Sequence, residues 1–143
     1  MIYRPADMAD IPAILGIVTR MVEGTAFRPP TEAKMRRLVA MGTYYTEGVW
    51  NGEHLVGFMC GNLSETFLND EVNAYDKGFY VVPEHRGGTI AVRLLRNFER
   101  WARSNGAANV WICQSVAHEI DATRHYFERL GYECQGFNMR KKL

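Results

Sequence analysis

The sequence predicts a single α/β domain in which helices cover a mixed central sheet. The chain has 143 residues, of which 47% are hydrophobic, so it is long enough for one domain with a substantial core. Segments with apolar residues at helical spacing alternate with short apolar runs typical of strands. The dipeptide Asn51-Gly52, which lies between two such runs, predicts a β-hairpin.

The N-terminal half is predicted to contain one strand, two helices and this hairpin. A strand over residues 2–6 leads to Asp10, an N-cap residue, and Pro12 follows in the first helical turn. A second helix follows Pro30. The hairpin strands lie on either side of the Asn51-Gly52 turn.

The C-terminal half is predicted to alternate strands with helices. The predicted strands span residues 75–82, 109–115 and 132–141, and the predicted helices span residues 89–105 and 121–130. The full order is β-α-α-β-β-β-α-β-α-β, within one domain over residues 1–143.

Composition excludes several classes of protein. Seventeen Lys and Arg residues against sixteen Asp and Glu residues give a net charge of +1, so neither nucleic acid nor a membrane is expected as a partner. No long apolar run and no signal-peptide pattern occurs, which favours a cytoplasmic protein. Cys60, Cys113 and Cys134 lack metal-ligand spacing, so we expect neither a disulfide framework nor a metal site.

A glycine-rich turn carries the clearest functional signal. It joins a strand that ends at Pro83 to a helix that begins near Thr89. Glycines let the backbone turn tightly, and the first N–H groups of a helix are unpaired donors at the positive end of its dipole. The turn therefore predicts a phosphate site, with Arg86 adding charge. The alternative is a plain strand-to-helix turn in which Thr89 is an ordinary N-cap. Neither ATP nor NAD is favoured, because both of their glycine motifs are absent.

This turn resembles the cofactor loop of the GNAT family of N-acetyltransferases, Arg/Gln-x-x-Gly-x-Gly/Ala after a Val-x-Pro strand end. Thr89 stands where the family usually has glycine. The resemblance extends to Arg4-Pro5-Ala6 and to residues 126–132, so it covers nearly the whole chain. It implies that acetyl-coenzyme A (acetyl-CoA) is bound by Val81, Val82, Arg86, Gly87, Gly88, Thr89, Ile90 and Ala91.

The resemblance also implies a reaction. An acetyl group would pass from acetyl-CoA to a primary amine by direct attack in a ternary complex, without a metal. The acceptor, a small molecule or a protein, is not specified by the sequence. The family's usual general acid is a tyrosine at the position of Phe127, and a phenyl ring cannot donate a proton.

Two residues are candidates for proton transfer. Tyr126 lies one residue before Phe127, about 100° around the helix, and is either the acid or a packing residue. Asp76, on the cofactor strand, is either the general base or a solvated carboxylate beside Lys77.

Two functions from other classes remain open. The departures at Thr89 and Phe127 would suit a coenzyme A-binding module without transferase activity. An interaction or structural protein could also keep the fold without binding a cofactor, and an exposed sheet edge would allow it to form a homodimer.

Overall fold

The computed structural model describes residues 1–41, 44–113, 119–136 and 138–143. The chain contacts form two compact units, Met1–Ile112 and Cys113–Leu143. The organisation as one domain over residues 1–143 stays a prediction.

The first unit contains a five-stranded mixed sheet flanked by helices, as predicted. In the described residues the strands are β1 (Ile2–Pro5), β2 (Tyr44–Asn51), β3 (His54–Glu65), β4 (Val72–Val81) and β5 (Asn109–Trp111). The helices are α1 (Ile11–Val22), α2 (Glu32–Ala40) and α3 (Ile90–Ser104), and the second unit holds α4 (Ile120–Arg129). The strands lie side by side in chain order, antiparallel except for the parallel pair β4 and β5. No helix in the described part of the chain is long and apolar enough to cross a membrane.

The predicted hairpin joins β2 to β3. Asn51 pairs with His54 across the turn. Gly52 has φ +61°, a backbone conformation that glycine adopts without a steric penalty. The local turn signal in the sequence therefore fixes this connection.

Helix α3 packs on one face of the sheet through the apolar stripe that the sequence predicted. Leu94 and Phe98 are completely buried. Gly61 of β3 faces Phe98 so closely that an added Cβ would lie 2.5 Å from the ring. Because side chains alternate along a strand, the next residue, Asn62, faces the opposite side of the sheet.

Helix α1 begins on that opposite face. Tyr3 of β1 faces α3, because the Arg93 guanidinium carbon lies 4.1 Å from its ring centroid. The next residue, Arg4, therefore points to the other face, where its two terminal nitrogens bond the Asp10 carboxylate at 2.6 and 2.7 Å. Asp10 occupies the predicted N-cap position of α1, but its side chain makes no cap hydrogen bond to that helix. It accepts instead from Arg4 and from the N–H of Asp7.

The Arg4–Asp10 pair should make stability depend on pH. Hydrogen bonding from Arg4 lowers the pKa of the Asp10 carboxyl. A carboxyl whose pKa is lower in the folded chain stabilises the fold above its unfolded pKa, and this contribution is lost as pH falls through the folded pKa. Asp10→Asn should lower the free energy of unfolding at pH 7 by about 2–3 kcal/mol.

Urea unfolding of wild type and Asp10→Asn across pH measures this effect, with the exposed Asp70→Asn as the control. The difference between wild type and Asp10→Asn should shrink as pH falls below the ordinary value of 3.8. A difference that stays constant down to pH 2 would contradict a role for the ionised carboxylate.

The structure corrects two predicted strands. β5 is shorter than the expected strand over residues 109–115, of which 114 and 115 lie outside the described residues. The prediction of a final strand over residues 132–141 is wrong for the part that the structure describes. None of residues 132–136 and 138–141 is in a strand. Gly136 and the basic end of the segment have low β-propensity, and the alternation of Tyr132 with Cys134 is too short to define a strand.

Candidate active site

The predicted phosphate loop connects the end of β4 with the start of α3. A turn at Pro83–His85 is closed by a bond from the Arg86 N–H to the Pro83 carbonyl at 3.1 Å. Gly87 has φ +81°, which a residue with a Cβ would adopt only with strain. At Gly88 an added Cβ would meet no atom within 4 Å. The loop therefore leaves open space at Gly88, next to the first turn of the helix.

The first turn of α3 presents backbone donors to this space. The first intrahelical bond runs from the Arg93 N–H to the Thr89 carbonyl at 2.9 Å, so the N–H groups of Ile90, Ala91 and Val92 have no acceptor within the helix. Thr89 occupies the N-cap position, but its side chain makes no cap hydrogen bond. Thr89 is thus not the ordinary capping residue of the alternative interpretation. Unpaired donors at the positive end of a helix dipole suit an anionic ligand.

Val81 and Val82 differ in what their backbone groups offer a ligand. Val82 donates its N–H to the Val56 carbonyl at 3.0 Å and accepts from the His85 N–H at 2.9 Å, so both of its groups are used. Bonded and non-bonded residue pairs alternate along antiparallel strands, so Val81 points its N–H and C=O away from β3. Phe79, two residues earlier, has the same orientation. Val81 is therefore the better placed of the two predicted contacts.

Arg86 lies against this outer edge of β4. Its Nε donates to the Val81 carbonyl at 2.9 Å. Its guanidinium carbon lies 5.2 Å from the ring centroid of Tyr80. The side chain is exposed, so its charge lies in solvent beside the unpaired helix donors. This charge strengthens the attraction of the loop for an anion.

β4 and β5 pair over a short length and then separate. The last pair is Tyr75 with Trp111. Beyond it, Val81 points its N–H and C=O away from β3, toward the side of the sheet on which β5 lies. The outer edge of β4 therefore offers N–H and C=O groups to an extended, amide-containing ligand, and it leads directly into the loop.

A β-bulge lies where the two strands separate. The β3–β4 register passes from the pair Cys60–Gly78 to the pair Gly61–Asp76, so Lys77 is an extra residue in β4. A bulge bends its strand and increases its twist. The bulge directly follows Tyr75, the last residue of β4 that pairs with β5 in the described part of the chain.

The predicted base, Asp76, is half-buried beside this bulge. It pairs with Gly61 and so faces the α3 side of the sheet. Burial, together with the charge of Asp76, raises the pKa of the Cys60 thiol to about 12, which keeps that thiol protonated at neutral pH. Asp76 and the loop therefore lie at opposite ends of the open edge of β4.

The predicted acid, Tyr126, lies on α4 of the second unit. Its hydroxyl is buried and has no hydrogen-bond partner among the described residues. Burial raises the pKa of Tyr126, and Arg129 opposes this shift. Phe127 packs edge-on against Tyr126 and Tyr132, with ring centroids 5.4 and 5.6 Å apart. Phe127 thus packs against two other aromatic rings.

Comparison with known protein families identifies the fold. A family model described as the acetyltransferase (GNAT) family matches residues 19–132. The chain belongs to the GNAT family. No curated protein sequence matches this GNAT chain.

Solved structures with low sequence identity share the GNAT fold. A mutant BH1408 protein from Bacillus halodurans is 18% identical, with a TM-score of 0.83 and coverage of 100% of this chain and 99% of that one. An acetyltransferase from Trypanosoma brucei is 17% identical, with a TM-score of 0.80 and 99% of both chains covered. An aminoglycoside acetyltransferase from an uncultured soil sample, in complex with sisomicin, is 16% identical, with a TM-score of 0.78 and coverage of 99% and 95%.

Two features of this GNAT chain were missed by the sequence analysis. One is the bulge at Lys77, for which the signal was the interruption of an apolar strand by Asp76, Lys77 and Gly78. The other is Glu47, a buried carboxylate on β2 that accepts from the Asn97 side chain of α3 at 2.8 and 3.0 Å. Glu47 thus links β2 by hydrogen bonds to α3, the helix whose first turn has unpaired backbone donors. The described residues contain no group of three or more His, Cys, Asp or Glu side chains that could hold a metal ion.

Proposed function

We propose that the protein transfers an acetyl group from acetyl-CoA to a primary amine. The observation that carries this proposal is the continuity of the outer β4 edge with the unpaired donors at the start of α3. The donors suit the pyrophosphate of coenzyme A, and the β4 edge at Val81 suits the amides of its pantetheine arm. The open space at Gly88 fits the same ligand, since no side chain fills it.

In the proposed reaction the neutral amine nitrogen attacks the thioester carbonyl carbon. The C–N bond forms, the C–S bond breaks, and coenzyme A leaves as a thiolate that takes up a proton. An alkylammonium acceptor loses two protons in total, so the net reaction releases one. Because the pKa of a lysine-like amine is about 10.4, a base or desolvation must supply the neutral form. A backbone N–H that points outward from β4, such as that of Val81, suits stabilisation of the developing oxyanion.

The acceptor is proposed to be a primary amine of a small molecule or a protein. The similarity to an aminoglycoside acetyltransferase in complex with sisomicin supports an amine-bearing acceptor. The identity of that neighbour is only 16%, so its substrate is not transferred to this chain.

Thiol release from acetyl-CoA, measured with a panel of primary amines, tests the proposal. Mass spectrometry of the purified protein provides a second readout, the retention of coenzyme A. We expect binding of coenzyme A and thiol release that requires an amine. Binding without turnover on any amine would instead support a coenzyme A-binding module, and failure to bind coenzyme A would support an interaction protein.

Asp76→Asn should reduce turnover by less than about 100-fold, the lower end of the usual range for general base catalysis. The Asp76 side chain faces α3 at the bulge, so we expect Asp76 to affect the acceptor indirectly, through the position of β4, and its substitution chiefly to raise the Michaelis constant for the amine. Steady-state kinetics across pH provides the measurement, and the wild-type rate should rise with pH until the amine is neutral. Complete loss of turnover in a folded variant that binds acetyl-CoA would make Asp76 the base itself.

Tyr126→Phe should reduce turnover by less than about tenfold, since a true general acid contributes about 100-fold or more. The variant should be at least as stable as wild type, because it removes a buried hydroxyl that has no partner among the described residues. Turnover and thermal unfolding, measured on the same preparation, separate the two effects. A 100-fold loss of turnover with unchanged stability would assign the acid role to Tyr126.

A further inference from the structure

Four residues form a row across the sheet on the face opposite α3. Tyr44 of β2 pairs with Asn62 of β3, Asn62 pairs with Tyr75 of β4, and Tyr75 pairs with Trp111 of β5. Directly paired residues project to the same face of a sheet. We call these four residues the aromatic row.

The aromatic end of the row is held in place. The Tyr75 and Trp111 rings stack with centroids 6.2 Å apart and planes 18° apart. The Trp111 indole N–H donates to Oδ1 of Asn73 at 3.4 Å, and the same oxygen accepts from Asn109 at 2.9 Å. Asn73 is only 2% exposed, whereas Trp111 remains 37% exposed. A buried amide thus orients an indole that is accessible to a ligand.

The middle of the row contains a polar atom that needs a donor. The side-chain oxygen of Asn62 is buried and has no hydrogen-bond partner among the described residues. A buried acceptor without a donor costs free energy, so most such atoms are paired in folded proteins. Because this oxygen is covered by protein atoms, a rotation of the Asn62 side chain toward Tyr75 is needed before a ligand N–H or O–H group can donate to it.

The row ends where the proposed reaction would take place. Tyr75 and Trp111 are the last pair before β4 and β5 separate. The next residue along β4 is Asp76. A ligand on the aromatic row is therefore adjacent to the closed end of the gap, on the side of the sheet away from α3.

We propose that the aromatic row binds the acceptor, and that the acceptor is a primary amine carried on a ring. This inference rests on the proposed acetyl transfer. The flat face of an aromatic or sugar ring stacks on exposed aromatic side chains, and an N–H or O–H on the ring donates to Asn62. All four side chains of the row are uncharged, and the Lys77 ammonium lies 5.8 Å from the Tyr75 ring centroid. A polycationic acceptor is therefore disfavoured.

Thiol release with three amines tests the proposal in wild type. The probes are tyramine for an aromatic ring, glucosamine for a sugar ring, and hexylamine for a linear chain. We expect kcat/KM for tyramine or glucosamine to exceed that for hexylamine by at least about tenfold, and the better of the two identifies the kind of ring. Equal values for ring and linear amines would overturn the proposal.

Two variants assign the preference to the row. Trp111→Leu and Asn62→Leu should each lower kcat/KM for the preferred ring amine by about tenfold, mainly by raising KM. The KM for acetyl-CoA should not change. Trp101→Leu is the matched control, because Trp101 stacks on Phe98 at 5.6 Å on the other face of the sheet. An equal loss of ring preference in Trp101→Leu would contradict a specific role for the row.

A binding measurement separates this inference from the proposed reaction. N-acetyltyramine and N-acetylglucosamine cannot accept a further acetyl group on nitrogen, and their binding is measured by calorimetry without acetyl-CoA. If wild type binds one of them and Trp111→Leu does not, the row is a ring site even where no amine supports turnover, and only the transferase proposal fails. If wild type binds neither compound, the ring site is refuted.

Discussion

Gly88→Asp is expected to weaken acetyl-CoA binding by at least about tenfold, or ~1.4 kcal/mol. The variant places a carboxylate beside the unpaired N–H groups at the start of α3, where it competes with the pyrophosphate and repels it. Titration calorimetry of the purified variant measures the loss. The fold should be unaffected, because an added Cβ at Gly88 meets no atom within 4 Å and its φ is not in the left-handed region.

Gly88→Ala is the matched control. It adds a Cβ at the same place without a charge, so the loss of affinity should be smaller than for Gly88→Asp. Gly87→Ala is unsuitable for this purpose, because Gly87 has φ +81° and the change would strain the loop itself. Unchanged affinity in a folded Gly88→Asp variant would place the cofactor elsewhere.

Gly61→Ala should lower the free energy of unfolding by about 2–3 kcal/mol. The added Cβ would lie 2.5 Å from the Phe98 ring and 2.6 Å from the Tyr75 carbonyl oxygen, so both α3 and β4 must shift. Because Tyr75 directly precedes Asp76 at the bulge, catalytic activity should also fall. Urea denaturation with a comparison of m-values measures the first effect, and thiol release measures the second.

Gly16→Ala is the same chemical change as Gly61→Ala, but it is expected to raise the free energy of unfolding. Gly16 lies in α1, and an added Cβ there meets no atom within 4 Å. Alanine is the better helix former, so the variant should gain about 0.5–1 kcal/mol. Similar stabilities of the two variants would show that the space around Gly61 can relax.

Much of the fold was predictable because its signals are local. The apolar stripe of α3 predicted a helix over residues 89–105, and the structure has Ile90–Ser104. The Asn51-Gly52 turn predicted the hairpin for the same reason, since glycine at a positive φ determines the connection. The turn between β4 and α3 belongs to this group, because a strand end, two glycines and a helix start follow one another in the chain, and its binding of a cofactor stays a prediction.

The parts of the fold and of the candidate site that the sequence did not predict depend on contacts between residues that are distant in the chain. A strand exists only if a partner pairs with it, so the pattern after Tyr132 predicted a strand that the described residues do not form. The bulge depends on the register of β4 against β3, and the aromatic row depends on the pairing of four separate strands. The roles of Asp76 and Tyr126 stay predictions, because a catalytic role depends on distances to a substrate rather than on position in the sequence.

The open edge of β4 also has a consequence for self-association. An unpaired strand edge is a template on which a second polypeptide can assemble, and proteins often protect such edges with lysine, bulges or covering side chains. β4 has each of these: Lys77 is exposed in the bulge, and the Arg86 side chain occupies the Val81 carbonyl. A small ligand can replace a single arginine hydrogen bond, whereas an incoming strand must also accommodate the bulge and bury the charge of Lys77, which is now exposed. The edge of β4 that we propose for cofactor binding is therefore poorly suited to aggregation.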